Sequence, residues 1–370
     1  MGIVVDGISK SNQGHSVLTD VSFEVADGDF ATLLGATGSG KTTLLRIIAG
    51  IERPDSGRVF FDHVDVTNMA VQKREVAFVY QQFVNYPSLT VFENIASPLR
   101  VSKQRPSKSD ISTKVEEAAE LLGLTWVLTH RPEEISGGQQ QRTAIARALV
   151  KGSRYIFLDE PLANLDYKLR EELRGELKRI FRDRGGSVIY ATPEPVDALS
   201  MATHVGYMQG GEILQYGLTR EVYERPATVD VGAYFSYPSM NILECECEKR
   251  EGRAWIRVSE ELAFAWPDVG AEIEAGPLSL GVRAHTVQPG SGSDGDVRFT
   301  STVQLAEVVG SDTEIHLEHD GHSLIALVPS IVSHPLGEEI QMCLDPTQCY
   351  LFDRESGALL HDQRSTLTGA

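Results

Sequence analysis

The chain has 370 residues, a length that favours two domains, and its 41% hydrophobic and 23% charged content is that of an ordinary globular protein. The 34 basic residues are outnumbered by 52 acidic ones, giving a formal net charge of −18, which disfavours nucleic acid and direct adsorption to anionic lipid. The first residues lack a signal-peptide pattern and no run approaches the roughly 18 apolar residues of a membrane span, so any membrane role is expected to come through a partner.

Residues 1–235 alternate strand-like apolar runs with helix-like segments, a pattern that predicts an α/β fold with a largely parallel central sheet. The strand-like run FATLLG, for example, comes before the helix-like run KTTLLRIIAG. Alternating patterns near the start predict an antiparallel β subdomain at the edge of this sheet. Residues 85–155 are expected to form a helical subdomain in which Pro132 is a breaker. The alternating charges of REELRGELKRIFRDR predict a solvated helix face.

Residues 236–370 are expected to form a second, all-β domain, because short strand patterns separated by turn signals predict a small barrel or sandwich. Asp320-Gly321 predicts a type I′ hairpin turn that pairs His319 with His322 and places His316 on the other face. We expect a solvated hairpin here rather than a metal site. The four cysteines are expected to be small buried side chains in a reducing compartment; they are Cys245, Cys247, Cys343 and Cys349.

The segment GATGSGKTT fits the phosphate-binding pattern G-x-x-x-x-G-K-[ST] between a strand run and a helix run. Its glycines let successive backbone N–H groups face phosphate oxygens, and the helix N-terminus adds a favourable dipole. Lys41 supplies a charge, and Thr42 offers a hydroxyl to Mg²⁺. The candidate nucleotide-binding residues are Gly35, Thr37, Gly38, Ser39, Gly40, Lys41, Thr42 and Thr43.

Two carboxylates end the apolar run RYIFLDE. Asp159 is expected to orient Mg²⁺ through water, and Glu160 to polarise the water that attacks ATP. Acidic residues at a strand end are common, but together with the phosphate loop they form a strong pattern.

The run ISGGQ predicts a second anion-binding helix end, with Ser136 as N-cap and the amides of Gly137 and Gly138 open at the helix start. One nucleotide has little need of two such ends from one subunit. The sequence therefore predicts a dimer, with ATP between the phosphate loop of one subunit and the Ser-Gly-Gly turn of the other.

The order GATGSGKTT, VYQQF, ISGGQ, YIFLDEP, ANLD resembles the ATPase subunits of ATP-binding-cassette (ABC) transporters. The resemblance implies a P-loop domain with a RecA-like core. Gln81 then matches the glutamine that contacts Mg²⁺ and the membrane-facing side, and NYPSLTVFENIASPL the cradle for a transmembrane partner. The matching signature residues, which serve the opposite site, are Ser136, Gly137, Gly138 and Gln139. The D-loop matches Asn164 to Asp166, with Ala163 where the family usually has serine.

The later segments LSLGVRAHTV and LFDRESGALL resemble the C-terminal OB-type β domain of carbohydrate importer ATPases. This resemblance implies a peripheral protein on the cytoplasmic face of the membrane, with a second ATPase subunit, two permeases and, indirectly, a substrate-binding protein as partners. An importer is favoured over an exporter, because the ATPases of exporters are usually fused to membrane-spanning segments and this sequence has no such run. The substrate implied is a carbohydrate or polyol, with glycerol the best single choice, because glycerol importers with two distinct ATPases look most similar.

Two departures from the family bear on mechanism. The strand VIYAT is followed by Pro193 where the family has a histidine that donates to the γ-phosphate, and proline offers no side-chain or backbone donor. The neighbouring Glu194 is anionic, so the phosphate would repel it and it cannot replace the histidine. Asn12 falls at or near the position of the aromatic that stacks on adenine, with His15 the only ring nearby.

Loss of one preorganised hydrogen-bond donor to the reacting group reduces the rate of the chemical step on the order of 10²–10³-fold. We therefore expect a heterodimer in which this chain's own site is slow while its signature serves the partner's competent site. The alternatives are a homodimer that tolerates the proline and an ATP-dependent regulatory clamp.

Overall fold

The computed structural model describes residues 2–82, 84–102, 104–163, 165, 167–267 and 273–362. The chain forms two compact units, Met1–Thr219 and Arg220–Ala370. Over the described residues, the helices are α1 Lys41–Ala49, α2 Val91–Arg100, α3 Lys108–Leu121, α4 Gly137–Val150, α5 Tyr167–Arg184, α6 Pro195–Met201, α7 Thr219–Glu224 and α8 Val229–Tyr234. None of them has the length and apolar character needed to cross a membrane.

The strands of the first unit are β1 Gly2–Asn12, β2 His15–Ala26, β3 Phe30–Leu34, β4 Ser56–Phe61, β5 Val64–Asp65, β6 Val76–Val79, β7 Tyr155–Asp159, β8 Ser187–Thr192, β9 His204–Gln209 and β10 Glu212–Leu218. Those of the second are β11 Asn241–Arg250, β12 Arg253–Arg257, β13 Ala263–Ala265, β14 Gly276–Val282, β15 Val287–Pro289, β16 Val297–Val309, β17 Asp312–His319, β18 His322–Val328, β19 Glu339–Leu344, β20 Tyr350–Asp353 and β21 Leu359–Asp362.

The central sheet of the first unit has the order β10-β9-β3-β8-β7-β6, with parallel pairing from β9 to β6 and an antiparallel β10 at one edge. A separate antiparallel sheet has the order β2-β1-β4-β5. Both features confirm the predicted α/β fold with its antiparallel β subdomain. Because parallel strands end at the same edge of a sheet, the residues that follow β3, β6, β7 and β8 meet there.

Alternate side chains of the central strands enter two cores. Phe30 and Tyr190 pack with the helices α2 to α5, whereas Leu33 and Ile189 pack with α1 and the antiparallel sheet. The helical subdomain contains α2, α3 and α4, as predicted, and Pro132 begins a short 3₁₀ turn ahead of α4. Capping boxes begin α2 at Thr90 and α3 at Ser107.

The second unit is antiparallel throughout its described strands, in two sheets of order β13-β12-β11-β14-β20-β21 and β15-β19-β16-β17-β18.

The four cysteines of the second unit are free and buried, as predicted. Burial raises the pKa of the Cys245 thiol to about 12, which disfavours the reactive thiolate. The helices α7 and α8 belong largely to this unit, since the Val229 N–H donates to the Gly357 carbonyl at 2.9 Å. The unit thus begins before the boundary expected at residue 236.

The predicted hairpin pairs His319 with His322, and its turn residues Asp320 and Gly321 have φ of +48° and +80°, as a type I′ turn requires. The expectation of a solvated hairpin is wrong for His319, which is buried. Its ring lies on the inner face of the sheet, where Nδ1 is 2.6 Å from the Thr300 carbonyl and Nε2 is 2.7 Å from Ser259 Oγ.

Candidate functional site

The phosphate loop connects β3 to α1 and leaves that helix without a side-chain cap. Gly40, at the N-cap position, has φ of +104°, and a Cβ there would lie 2.7 Å from Leu18 Cδ2 and 2.9 Å from the Val17 carbonyl. Ser39 Oγ is buried and has no hydrogen-bond partner among the described residues. An uncapped helix start beside an unpartnered hydroxyl fits an anion that accepts hydrogen bonds from both.

Lys41 is buried in the loop, and its Nζ donates to the Gly35 carbonyl at 2.7 Å and the Ala36 carbonyl at 2.9 Å. The same Nζ lies 3.9 Å from Glu160 Oε1. Burial lowers the pKa of Lys41, against the opposing effects of Glu160 and Asp159. Desolvation of this kind makes a negatively charged ligand a favourable partner.

Asp159 and Glu160 follow each other at the end of β7 and face the loop. Thr42 Oγ1 donates to Asp159 Oδ1 at 2.9 Å, so the two oxygens expected near Mg²⁺ are adjacent. Burial raises the pKa of both carboxyls. Glu160 has φ of +44°, a region few non-glycine residues adopt, and its N–H donates to the Ala191 carbonyl at 2.9 Å.

Gln81 follows β6 and reaches the same group, because its Nε2 donates to Glu160 Oε2 at 2.7 Å. The structure thus brings together five side chains separated by up to 119 positions in the sequence: Lys41, Thr42, Gln81 and the Asp159–Glu160 pair. Hydroxyl, amide and carboxylate oxygens around one point are the ligands that Mg²⁺ prefers.

The segment ISGGQ begins α4 as predicted. The Gln139 N–H donates to Ser136 Oγ at 3.3 Å, and the Ser136 N–H donates to Gln139 Oε1 at 2.9 Å. Gly138 lies close to α5, since a Cβ there would lie 2.6 Å from Leu169 Cδ2 and the leucine side chain would have to shift. The other predicted residues of this surface, Asn164 and Asp166, lie outside the described residues.

The strand β8 ends at Thr192, and Pro193 follows it at a bend in the backbone. The Thr192 carbonyl accepts a hydrogen bond from the Gly35 N–H at 3.3 Å, so this strand end adjoins the first residue of the phosphate loop. Pro195 then begins α6, a favourable first helical position for proline. Glu194 is exposed and helps to raise the pKa of Glu160.

The hairpin between β1 and β2 places Asn12 opposite His15, and both side chains are exposed. Weakened stacking on the adenine base at this hairpin stays a prediction.

Comparison with known proteins gives matches over both units. The family described as "ABC transporter" matches residues 18–163, and the family described as "TOBE domain" matches residues 280–352. The sulfoquinovosyl glycerol transport ATP-binding protein of Agrobacterium fabrum is 33% identical, over 96% of this chain and 98% of its own length. The chain belongs to the ABC transporter family.

Other ABC relatives match over similar lengths. The trehalose import ATP-binding protein of Mycobacterium tuberculosis is 34% identical, over 97% of this chain and 98% of the relative. The sn-glycerol-3-phosphate import ATP-binding protein of Brucella abortus is 34% identical, over 95% and 97%. A solved dimeric ATP-binding cassette in a post-hydrolysis state, bound to ADP and phosphate, has a TM-score of 0.54 and 28% identity, and covers 59% of this chain and 99% of the cassette. This chain is thus an ABC-type ATPase that binds ATP.

Sequence reasoning about the ABC motifs missed the residues that shape the segment after Gln81. Asn94 is fully buried in α2, and its Nδ2 donates to the carbonyls of Tyr86, Leu89 and Thr90. Arg147 of α4 donates to the Val84 carbonyl at 2.5 Å and lies over the Tyr86 ring. An asparagine in an otherwise apolar helix stretch was the available signal for this network.

Proposed function

We propose that this chain is the ATP-binding subunit of an importer for a carbohydrate or polyol, with glycerol the best single candidate. The observation that carries the proposal is the near-full-length similarity, across the ABC and β units, to proteins named as transport or import ATP-binding proteins. Nothing in the nucleotide site contacts a transported substrate, so the choice of glycerol rests on resemblance alone. The protein would bind peripherally to the cytoplasmic face of the membrane.

The nucleotide site would act through the contacts described above. The open amides of α1 and the Lys41 ammonium would bind the β- and γ-phosphates of ATP. Thr42, Gln81 and Asp159 would hold Mg²⁺, which neutralises charge on the phosphates. Glu160 would accept a proton from the attacking water, a role for which its buried carboxylate and its hydrogen bond from Gln81 are suited.

A groove on the surface of the first unit is the proposed docking site for a permease. Between α2, α4 and the segment after β6 lies a groove of about 490 Å³ whose wall includes Pro98, Val101 and Arg147. Val101 is 83% exposed and Tyr86 is 51% exposed, so the two side chains give this groove an apolar wall that a partner would cover. A short helix of a membrane subunit would lie here, as the resemblance to the coupling cradle implies.

We further propose that the partner across the nucleotide is a different ATPase chain. The support is the asymmetry of the motifs: the Ser136 turn that would serve the opposite site keeps its cap, whereas Pro193 leaves this chain's own site without one donor. The signature would complete the partner's competent site, while this chain's own site would bind ATP and hydrolyse it slowly. The similar dimeric cassette bound to ADP and phosphate supports a dimer but says nothing of its composition.

One purification would test partner and permeases together. The tagged chain, isolated from native membrane in mild detergent, is expected to bring two permeases and a second ATPase. Tyr86→Asp in the groove should release the permeases, whereas Trp126→Asp, which changes an exposed aromatic elsewhere in the helical subdomain, should retain them. Recovery of this chain with no membrane protein would contradict the importer, and recovery of permeases with no second ATPase would contradict the heterodimer.

A further inference from the structure

A small cavity lies beside the catalytic carboxylate, on the side where the chain has a proline. Its volume is about 60 Å³, and its wall includes Glu160, Thr192, Pro193, Glu194 and Arg170. Arg170 lies in the first turn of α5, whose Leu173 and Leu177 share a core with Tyr190 of β8. A space of this size, with Glu160, Glu194 and Arg170 on its wall, is large enough for a side-chain head group or a few waters.

Arg170 is weakly held in this position. Its Nη1 is 3.5 Å from Glu194 Oε1, and the two side chains are 23% and 49% exposed, so the ion pair is screened and exchangeable. Its Nε is buried and has no hydrogen-bond partner among the described residues. Because a buried donor without an acceptor is unfavourable, this guanidinium is suited to a further anionic partner.

The neighbouring guanidinium, that of Arg174, is in contrast already paired with two carboxylates. Arg174, one turn further along α5, donates to Asp197 Oδ1 through Nε at 2.9 Å and through Nη2 at 2.8 Å, and it also contacts Glu171. Asp197 accepts two more hydrogen bonds, from Tyr190 and Thr192. Of the described residues that line the cavity, only Arg170 is cationic.

The cavity is next to the place where the terminal phosphate would lie. Glu160, on its wall, is 3.9 Å from the Lys41 ammonium, and Thr192, also on its wall, binds the first residue of the phosphate loop. From these contacts we propose that Arg170 binds the γ-phosphate of ATP in this chain's own site. To do so, it gives up its ion pair with Glu194. This inference rests on the nucleotide site proposed above.

The chemistry of the two groups favours this exchange. A guanidinium presents a planar fork of donors that fits phosphate oxygens, and it stays charged at all working pH values. Glu194 holds it with a single long contact when no phosphate is bound. Pro193 offers no competing donor, so the guanidinium supplies the positive charge on this side. The γ-phosphate is what distinguishes ATP from ADP, so Arg170 should affect the affinity for one nucleotide and not the other.

The test is the ratio of affinities for a non-hydrolysable MgATP analogue and for MgADP, measured by calorimetry on the purified full-length chain. Arg170→Gln is expected to lower this ratio about tenfold or more, with the MgADP affinity unchanged, because a hydrogen bond to a charged group is lost. Arg170→Lys should keep part of the preference. Lys168→Gln, an exposed charge change on the same helix turn, should change neither affinity.

A second variant separates phosphate binding from a structural role. Glu194→Gln should raise the ratio by freeing Arg170, and this gain should disappear when Arg170→Gln is added. An unchanged ratio in Arg170→Gln, or an equal loss for both nucleotides, would overturn the proposal. If the unaltered chain bound neither nucleotide, the nucleotide site itself would be wrong and the role of Arg170 would fall with it.

Discussion

Pro193→His is expected to raise the ATPase rate of the purified chain by about 10². A preorganised donor to the reacting phosphate contributes on the order of 10²–10³ in rate, and we expect the lower end because Arg170 would already supply part of the charge. The strand end can accept the change. Proline has no N–H, so no backbone hydrogen bond is lost, and Pro193 is half-buried beside the cavity of about 60 Å³.

The stability change should be small by comparison. Replacing a proline increases the conformational freedom of the unfolded chain, which costs about 0.4–1 kcal/mol where the native backbone suits proline. For a unit of this size, that corresponds to a fall in Tm of roughly 1–4 °C. A larger fall would mean that the imidazole does not fit the corner as the geometry suggests.

The assay is steady-state phosphate release by the purified chain at a concentration at which two copies form a dimer, because each site needs the Ser136 turn of the opposite subunit, with Tm measured on the same samples. Pro193→Ala is the matched control, since it removes the ring without adding a donor, and it should leave the rate unchanged. If Pro193→Ala gained as much as Pro193→His, backbone freedom rather than the donor would be limiting. If neither variant gained while both remained folded, the proline would not be the cause of slow hydrolysis.

Three further changes follow from the contacts. Asp197→Ala should lower the free energy of unfolding by about 3–5 kcal/mol in urea titrations, because it leaves the Arg174 guanidinium buried without its carboxylate; a loss below about 1 kcal/mol would contradict this. Since burial raises the pKa of Glu160 and the ionised form accepts the proton, kcat should fall on acidification at a pH above the ordinary range of a glutamate, and a kcat–pH profile with its acid limb at the free value would refute this role. Ser136→Ala should reduce the free energy of unfolding by about 1 kcal/mol through loss of the cap on Gln139, whereas Ser136→Asp should restore most of it in the same titration.

The phosphate loop and its carboxylates could be predicted because their geometry depends on local sequence and a general rule. Lys41 and Thr42 lie in one nine-residue segment that opens a helix. Asp159 is 117 positions away from Thr42, yet parallel strands end at one edge, so the hydrogen bond between them follows from two short motifs. The hairpin of His319 and His322 was equally local, because Asp-Gly determines the turn.

Contacts that depend on how elements pack could not be predicted in this way. The alternating charges of α5 indicated a solvated face, but Arg174 is buried against Asp197 of α6, so the expectation is wrong for that residue. The spacing of charged residues along a helix does not indicate which of them will face the end of a neighbouring strand. His319 is a similar case, since its burial depends on how the sheet curls over the loop at Ser259 rather than on the turn.

The contacts of the site suggest how nucleotide binding is made reversible. Three of the side chains that would meet ATP already have an internal partner: Lys41 has two carbonyls of its own loop, Thr42 has Asp159, and Arg170 has Glu194. Binding therefore exchanges one set of hydrogen bonds for another, and only the difference between them contributes to affinity. A proline has no side-chain donor to exchange, so its effect should appear in the rate, where a donor acts on the reacting phosphate, more than in the binding of ADP.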